Sequence, residues 1–308
     1  GYTIVEVQND SSLPIAVAFT RSDVVANRPP AAVPIEGIDL PAGSVLLPVG
    51  HRSSVVVGMS HAMNDQGTLP SGLPLSDAVA RGWIARADSA SRLELPDAGL
   101  ADAVRAARCE VLLRGAPSHD DDAERYLLAV AELVRMAELD TRDAEAIIPE
   151  IAEAVAQVAQ GTSPLAAAAL GAAGVVLAKA GERRALRDLS NLVAKQAGRP
   201  RPVPEIDSIE VVTGIEQLIA RGGQLFPAGI PVPWLGVDFE AHGLVVGPSS
   251  RLSLAVRWHG QNAAVLWEVE GDEVTLSASV ATGGWTTSER SGEALWALDA
   301  RRNTISFS

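Results

Sequence analysis

Paired carboxylates are the residues of this sequence whose type and spacing best suit chemistry. Hydrolysis of a glycosidic bond needs two carboxyl groups about 5–10 Å apart, one to give a proton and one to act as base or nucleophile. Glu132, Glu138 and Asp140 fall near the end of one helical pattern, and Glu150 and Glu153 fall on the next. Acids at this density usually cover a solvated helix face, and spacing alone singles out no pair. The five histidines, His51, His61, His119, His242 and His259, lack the spacing that puts two ligands on one helix face, so no metal is expected. Ser60 follows a strand-like run in "VVVGMSHAM", but Ala62 stands where a nucleophile elbow has its second glycine, and loop residues follow in place of a helix. Cys109, the only cysteine, lies in the apolar-periodic "ARCEVLL" and reads as an inert, buried thiol. With no phosphate-binding glycine loop and no dinucleotide fingerprint, no cofactor is expected.

The tryptophans suit recognition better than catalysis. Trp258 shares a strand face with Leu252, Leu254 and Val256, and Trp267 shares one with Val265 and Val269, so both are expected in a sheet core. His259 then points to the opposite face or into the "HGQN" turn. Trp285 differs, because it sits in the polar stretch "TGGWTTSERSG" with no apolar period around it. It either stands exposed as an aromatic platform or folds back onto the sheet. The ligand-facing candidates are therefore Trp285, together with Trp234, His259, His242 and Asp238 from the closing part of the chain.

These residues need a scaffold, and the hydrophobic period supplies its outline. "YTIVEVQN", "LPIAVAFT" and "GSVLLPVGHRSSVVVGM" alternate or run β-branched, which predicts an antiparallel β region over 1–75. The period then becomes helical. Asp97 is placed to cap a helix carrying Leu100, Val104, Ala107 and Val111, and the carboxylates of "DDDAERYLLAV" suit the positive end of another. "TRDAEAIIPEIAEAVAQVAQ", "SPLAAAALGAAGVVLAKA", "ERRALRDLSNLVAKQ" and "DSIEVVTGIEQLIARGG" continue the series, with Gly161, Gly181 and Gly198 as helix ends and "GRPRPVPE" as a stiff link. Roughly five to seven helices with short connections, arranged as helical hairpins, are expected over 76–222. Strands return over 223–308, ending with a third strand in which Val274, Leu276, Ala278 and Val280 share the apolar side. The predicted class is α+β, with antiparallel β regions flanking an all-α middle, because a βαβ enzyme would alternate its elements.

Composition narrows the partners. A formal charge of −13 repels phosphate backbones and anionic lipid, so neither nucleic acid nor a membrane surface is expected. The run "PLAAAALGAAGVVLA" is too short and too rich in alanine for a membrane span and predicts a tightly packed core helix. "GYTIVEVQND" has no basic segment followed by an apolar one, which makes a cytoplasmic protein the expectation. A carbohydrate, a protein partner or a second copy of the chain remain as partners.

The order of segments resembles the glucoamylase-like (α/α)-barrel glycoside hydrolases. The similarity is carried by "DLPAGSVLLPVGH", "GWIARADSASRLELPD", "LADAVRAARCEVLL" and "GGQLFPAGIPVPWLGVDFEAHGL". It implies a β-sandwich before a helical barrel, a small β domain after it, and catalytic acids on loops between helices. The chain departs from that pattern: it has room for far fewer helices than the barrel needs, and no matching acid motif. The resemblance therefore implies a reduced, non-catalytic, carbohydrate-associated or protein-interaction module, with a glycoside hydrolase or an oligomerising scaffold as alternatives.

Overall fold

The computed structural model describes residues 2–32, 36–61, 69, 72–196 and 209–297, with 194–196 as backbone only. The expected polyproline link and the helix end at Gly198 lie outside these residues. The class is α+β, with sheets at both ends and helices between. The chain forms two compact units, 1–82 and 83–308.

The first unit carries β1 (Tyr2–Asn9), β2 (Ile15–Phe19), β3 (Val24–Ala26), β4 (Val45–Val49) and β5 (Ser53–Ser60). One antiparallel sheet has the order β1-β5-β3, and β2 pairs with β4 in another. Alternation puts Val7, Leu47, Val49, Val55 and Val57 between them as a small sandwich core. Asn9 is buried and fully used. Its amide donates to the carbonyls of Leu13, Val49 and Gly50, while its oxygen accepts from Ser11, which fixes the turn after β1.

Then come α1 (Ser76–Asp88), β6 (Arg92–Glu94), α2 (Ala98–Arg114), α3 (Ala123–Arg135), α4 (Thr141–Ala146), α5 (Ile148–Gln160), α6 (Ala166–Lys179), α7 (Arg183–Gln196) and α8 (Glu210–Ile219). Asp97 caps α2 through the backbone N–H of Gly99, as the sequence predicts, and of the three aspartates expected at the start of the next helix Asp122 caps α3 through the N–H of Arg125. The stretch expected as one helix from Thr141 splits at Ile147. Pro149 opens α5, where its missing N–H costs nothing, and it could not continue the preceding helix without losing a bond. Helix α6 is apolar all round because it is buried on nearly all sides, with Ala169, Leu170, Ala173 and Val176 at or near zero exposure.

The chain closes with β7 (Ala220–Arg221), β8 (Gln224–Leu225), β9 (Phe239–Gly247), β10 (Ser250–His259), β11 (Asn262–Glu270), β12 (Leu276–Ala278), α9 (Ser279–Thr282), β13 (Trp285–Thr287) and β14 (Ser291–Ala297). A five-stranded antiparallel sheet runs β14-β11-β10-β9-β6 and a smaller one runs β13-β12-β8-β7. The expected hairpin pairs Leu252 with Val269, Leu254 with Trp267 and Val256 with Val265. Three features depart from the expected pattern. β6 joins the sheet from within the helical region, β12 meets β8 in a parallel bridge, and the third strand stops at Ala278. Val280 therefore leaves the apolar side: it sits in the turn of α9 and is exposed.

Helices and closing strands share one core, because α2, α3 and α8 pack on the inner face of the five-stranded sheet through Val104, Leu128, Val212, Leu244 and Leu254. A second cluster lies among α3, α5, α6 and α7, around Leu127, Ile151, Leu170 and Leu189. Helices α3 and α6 thus serve both clusters, which makes the space beside them the centre of this unit.

Candidate functional site

Three helices each place one or two charged residues in an otherwise apolar stripe. On α2 Arg108 lies between Val104 and Val111, on α3 Glu132 and Arg135 follow Leu128, and on α8 Glu216 lies between Val212 and Ile219. Because these stripes face one another, the four charged groups meet inside the core.

Arg108 is fully buried. Its Nε donates to Glu132 Oε2 at 2.7 Å, Nη1 to the carbonyls of Ala87 and Ser91, and Nη2 to Ser91 Oγ and Glu216 Oε1 at 2.7 and 2.8 Å. All five guanidinium donors are thereby used. Arg135 pairs with Glu132 through Nη1 and donates from Nη2 to Glu216 Oε1 at 2.7 Å. Nη2 also lies 3.3 Å from the Ala90 carbonyl and 3.4 Å from that of Gly243. Two cations and two carboxylates alternate, so the charges largely cancel. Desolvation of such groups is otherwise worth several kcal/mol per ion.

The sheet is shaped to meet this network. Between Ala241 and Leu244 strand β9 holds one residue more than β10 does across from it, a bulge with Gly243 at φ +77°. A Cβ there would stand 3.0 Å from the Ala90 carbonyl, so glycine is required for both conformation and space.

The electrostatics follow from burial and pairing. Burial by itself would raise the Glu216 carboxyl, but Arg135 and Arg108 outweigh it and hold the group below the usual carboxylate range. Burial would lower the Arg135 guanidinium, and Glu132 and Glu216 reverse this, leaving it more firmly cationic than a free arginine. Arg251 on β10 is different: burial and then Arg135 disfavour its charge, only partly offset by Glu216 and Glu132.

Above the network lies a half-open cavity of about 450 Å³ bounded by α3, α6, α7, α8 and the β9–β10 turn. Its walls are aliphatic, with Leu128, Ala168, Gly171, Val175, Leu189 and Pro248 among them. Its polar end holds Glu132, Arg135, Thr213, Glu216, Gln217 and Arg221. Two buried polar atoms of residues lining it, Nε of Arg135 and Oε1 of Gln217, have no hydrogen-bond partner among the described residues. Unmet buried polar atoms are rare in folded proteins, and a cavity bordered by them is a common form of binding site.

None of the five ligand-facing candidates lines this cavity. Trp285 folds back onto the sheet, half-buried, with its ring 5.1 Å from Trp267 and 5.3 Å from Trp296. Trp234 is 2% exposed and packs edge-on against Phe239. His259 is exposed beside the hairpin turn, and His242 lies 2.9 Å from Glu240, which also pairs with Arg257. Asp238 is exposed and accepts from the Trp258 backbone N–H at 2.8 Å. Among the carboxylates noted in the sequence, Glu138 pairs with Arg86, Asp140 caps α4, and Glu153 lies 3.0 Å from His119. Only Glu132 of that set reaches the cavity, and Glu216, its neighbour there, is not among them. Cys109 is half-buried and burial raises its thiol, in keeping with an inert role. Among the described residues no cluster of three or more metal-binding side chains exists, and no helix is long and apolar enough to cross a membrane.

The fold and site together define an α+β protein in which a helical layer on an antiparallel sheet encloses an aliphatic cavity over a buried arginine–glutamate network. Comparison with protein-family models, curated proteins and solved structures finds no match.

Proposed function

We propose that this protein is a non-catalytic binding module whose cavity receives a small amphipathic molecule, the apolar body against α6 and the polar end at Arg135 and Gln217. The observation that carries this reading is the pairing of aliphatic walls with two unmet buried polar atoms in one cavity of about 450 Å³. That size falls within the range of small-molecule sites. Among the described residues no aromatic side chain borders the cavity, so they offer no stacking platform for a sugar ring. A carbohydrate partner would instead have to be met by Trp285, whose ring is half-buried between two other tryptophans.

A second reading, glycoside hydrolysis, is favoured by one observation: Glu132 and Glu216 both border the cavity. It is the weaker of the two. A general acid needs a carboxyl kept protonated near neutral pH, whereas Glu216 is held ionised by Arg108 and Arg135.

Thermal-shift screening of small amphipaths against the wild type and Gly171→Leu tests the binding reading. Gly171 has open space where a Cβ would go, so leucine there fills the cavity while improving helix propensity. Ligands that stabilise the wild type and not the variant are expected. Stabilisation of both proteins alike would place binding elsewhere. Release of aryl alcohol from chromogenic glycosides, lost on Glu132→Gln, would restore the hydrolase reading.

A further inference from the structure

Two guanidinium groups, Arg135 and Arg221, and two carboxylates, Glu132 and Glu216, line the polar end of the cavity. Behind them Arg108 pairs with both carboxylates and Arg251 lies within electrostatic reach of Arg135, so positive groups outnumber negative ones around this end. Both carboxylates are committed to Arg108 and Arg135. Among the described residues no ion pair joins Arg221 or Arg251 to an acid, and Arg251 donates only to the Ser250 carbonyl. Arg221 borders the cavity, as do Gln217 and Arg135, whose side chain is 4% exposed and whose Nε has no hydrogen-bond partner among the described residues. An amide can turn its N–H₂ as readily as its oxygen toward a ligand. The lining of this end therefore holds donors that meet no acceptor among the described residues, in a protein whose overall charge is strongly negative.

We propose that the ligand is an amphipathic anion, a medium-chain fatty acid, with its carboxylate bound by Arg221, Arg135 Nε and the Gln217 amide and its acyl chain laid along α6. The inference rests on the binding reading given above and names the ligand class for the same cavity. Carboxylate fits because it offers two acceptor oxygens and a single charge to a site with one guanidinium edge and one isolated N–H free. The chain fits because Ala167, Ala168, Gly171 and Gly174 of α6 keep that wall low, and Leu186, Leu189 and Val193 of α7 face it. An anion at this end would also offset the repulsion between Arg251 and Arg135.

Isothermal titration of the full chain with octanoate, decanoate, 1-decanol and decyl phosphate tests the proposal, using wild type, Arg221→Gln and Gly171→Leu. Decanoate should bind at least tenfold more tightly than decanol, and each added methylene from octanoate to decanoate should tighten binding about fourfold. Arg221→Gln should remove the preference for acid over alcohol, and Gly171→Leu should weaken every ligand. Decanol binding as tightly as decanoate would overturn the anionic head group and leave the cavity reading standing. Tighter binding of decyl phosphate would overturn the carboxylate in favour of a phosphoryl head. Absence of binding by all four, or decanoate binding unaffected by Gly171→Leu, would overturn both the ligand class and the cavity as its site.

Discussion

Arg135 on α3 reaches Glu216 on α8 across 81 positions of sequence, with Nη2 2.7 Å from Oε1. That contact closes a ring in which each carboxylate touches two guanidinium groups and each guanidinium two carboxylates. Helices α2, α3 and α8 are thereby tied to one another beneath the cavity. A well-packed apolar quartet could be equally stable, so the charges are better understood as fixing position and polarity than as adding net stability.

Removing one member of the ring should therefore be costly. Arg108→Met leaves Glu132 and Glu216 buried with an unanswered charge, and urea unfolding should show a loss of about 3–5 kcal/mol. Adding Glu132→Leu to that variant should recover part of the loss, because the orphaned charge is removed with its partner. A double-mutant cycle measures this coupling directly.

Acid should weaken the fold through Glu216. Its folded-state carboxyl sits below the ordinary glutamate value, so the stability it contributes is fully present above the unfolded value, about 4.3, and is lost as pH falls through the lower folded one. Melting temperature measured from pH 7 to pH 3 should fall below about pH 4.5. Glu216→Gln should begin lower at neutral pH and show a shallower fall, since the titrating group is gone.

The tryptophan cluster should behave as packing. Trp285→Ala opens space between Trp267 and Trp296, and a loss of about 2 kcal/mol is expected from a half-buried indole. Near-ultraviolet circular dichroism should lose the signal of the edge-on and tilted indole contacts in step. Full stability with selective loss of glycan binding would instead make Trp285 a recognition surface.

Gly243→Val places a β-branched residue at φ +77° and drives its Cβ toward the Ala90 carbonyl 3.0 Å away. Strain of this kind costs about 1–3 kcal/mol before any clash is counted. Chemical denaturation should show at least that loss, and hydrogen exchange should rise in β6 and β9, which pair next to the bulge.

The local features of this protein are legible in its sequence. The apolar period locates the helices and the β10–β11 hairpin, and Asp97 and Asp122 announce their helices, because capping and alternation depend on neighbours a few residues apart. The all-apolar α6 is readable as a core helix for the same reason. The sequence also carries a trace of the site, with Arg108, Glu132 and Glu216 each interrupting an apolar stripe. A charged residue in such a stripe means only that some partner must exist, and which partner depends on how helices distant in sequence are docked. Tertiary structure alone decided that these residues converge, that Trp285 turns inward, and that Arg221, joined to no acid among the described residues, lines a cavity. Side-chain pairing inside a core is set by the packing of whole elements, and no spacing along a single chain encodes it.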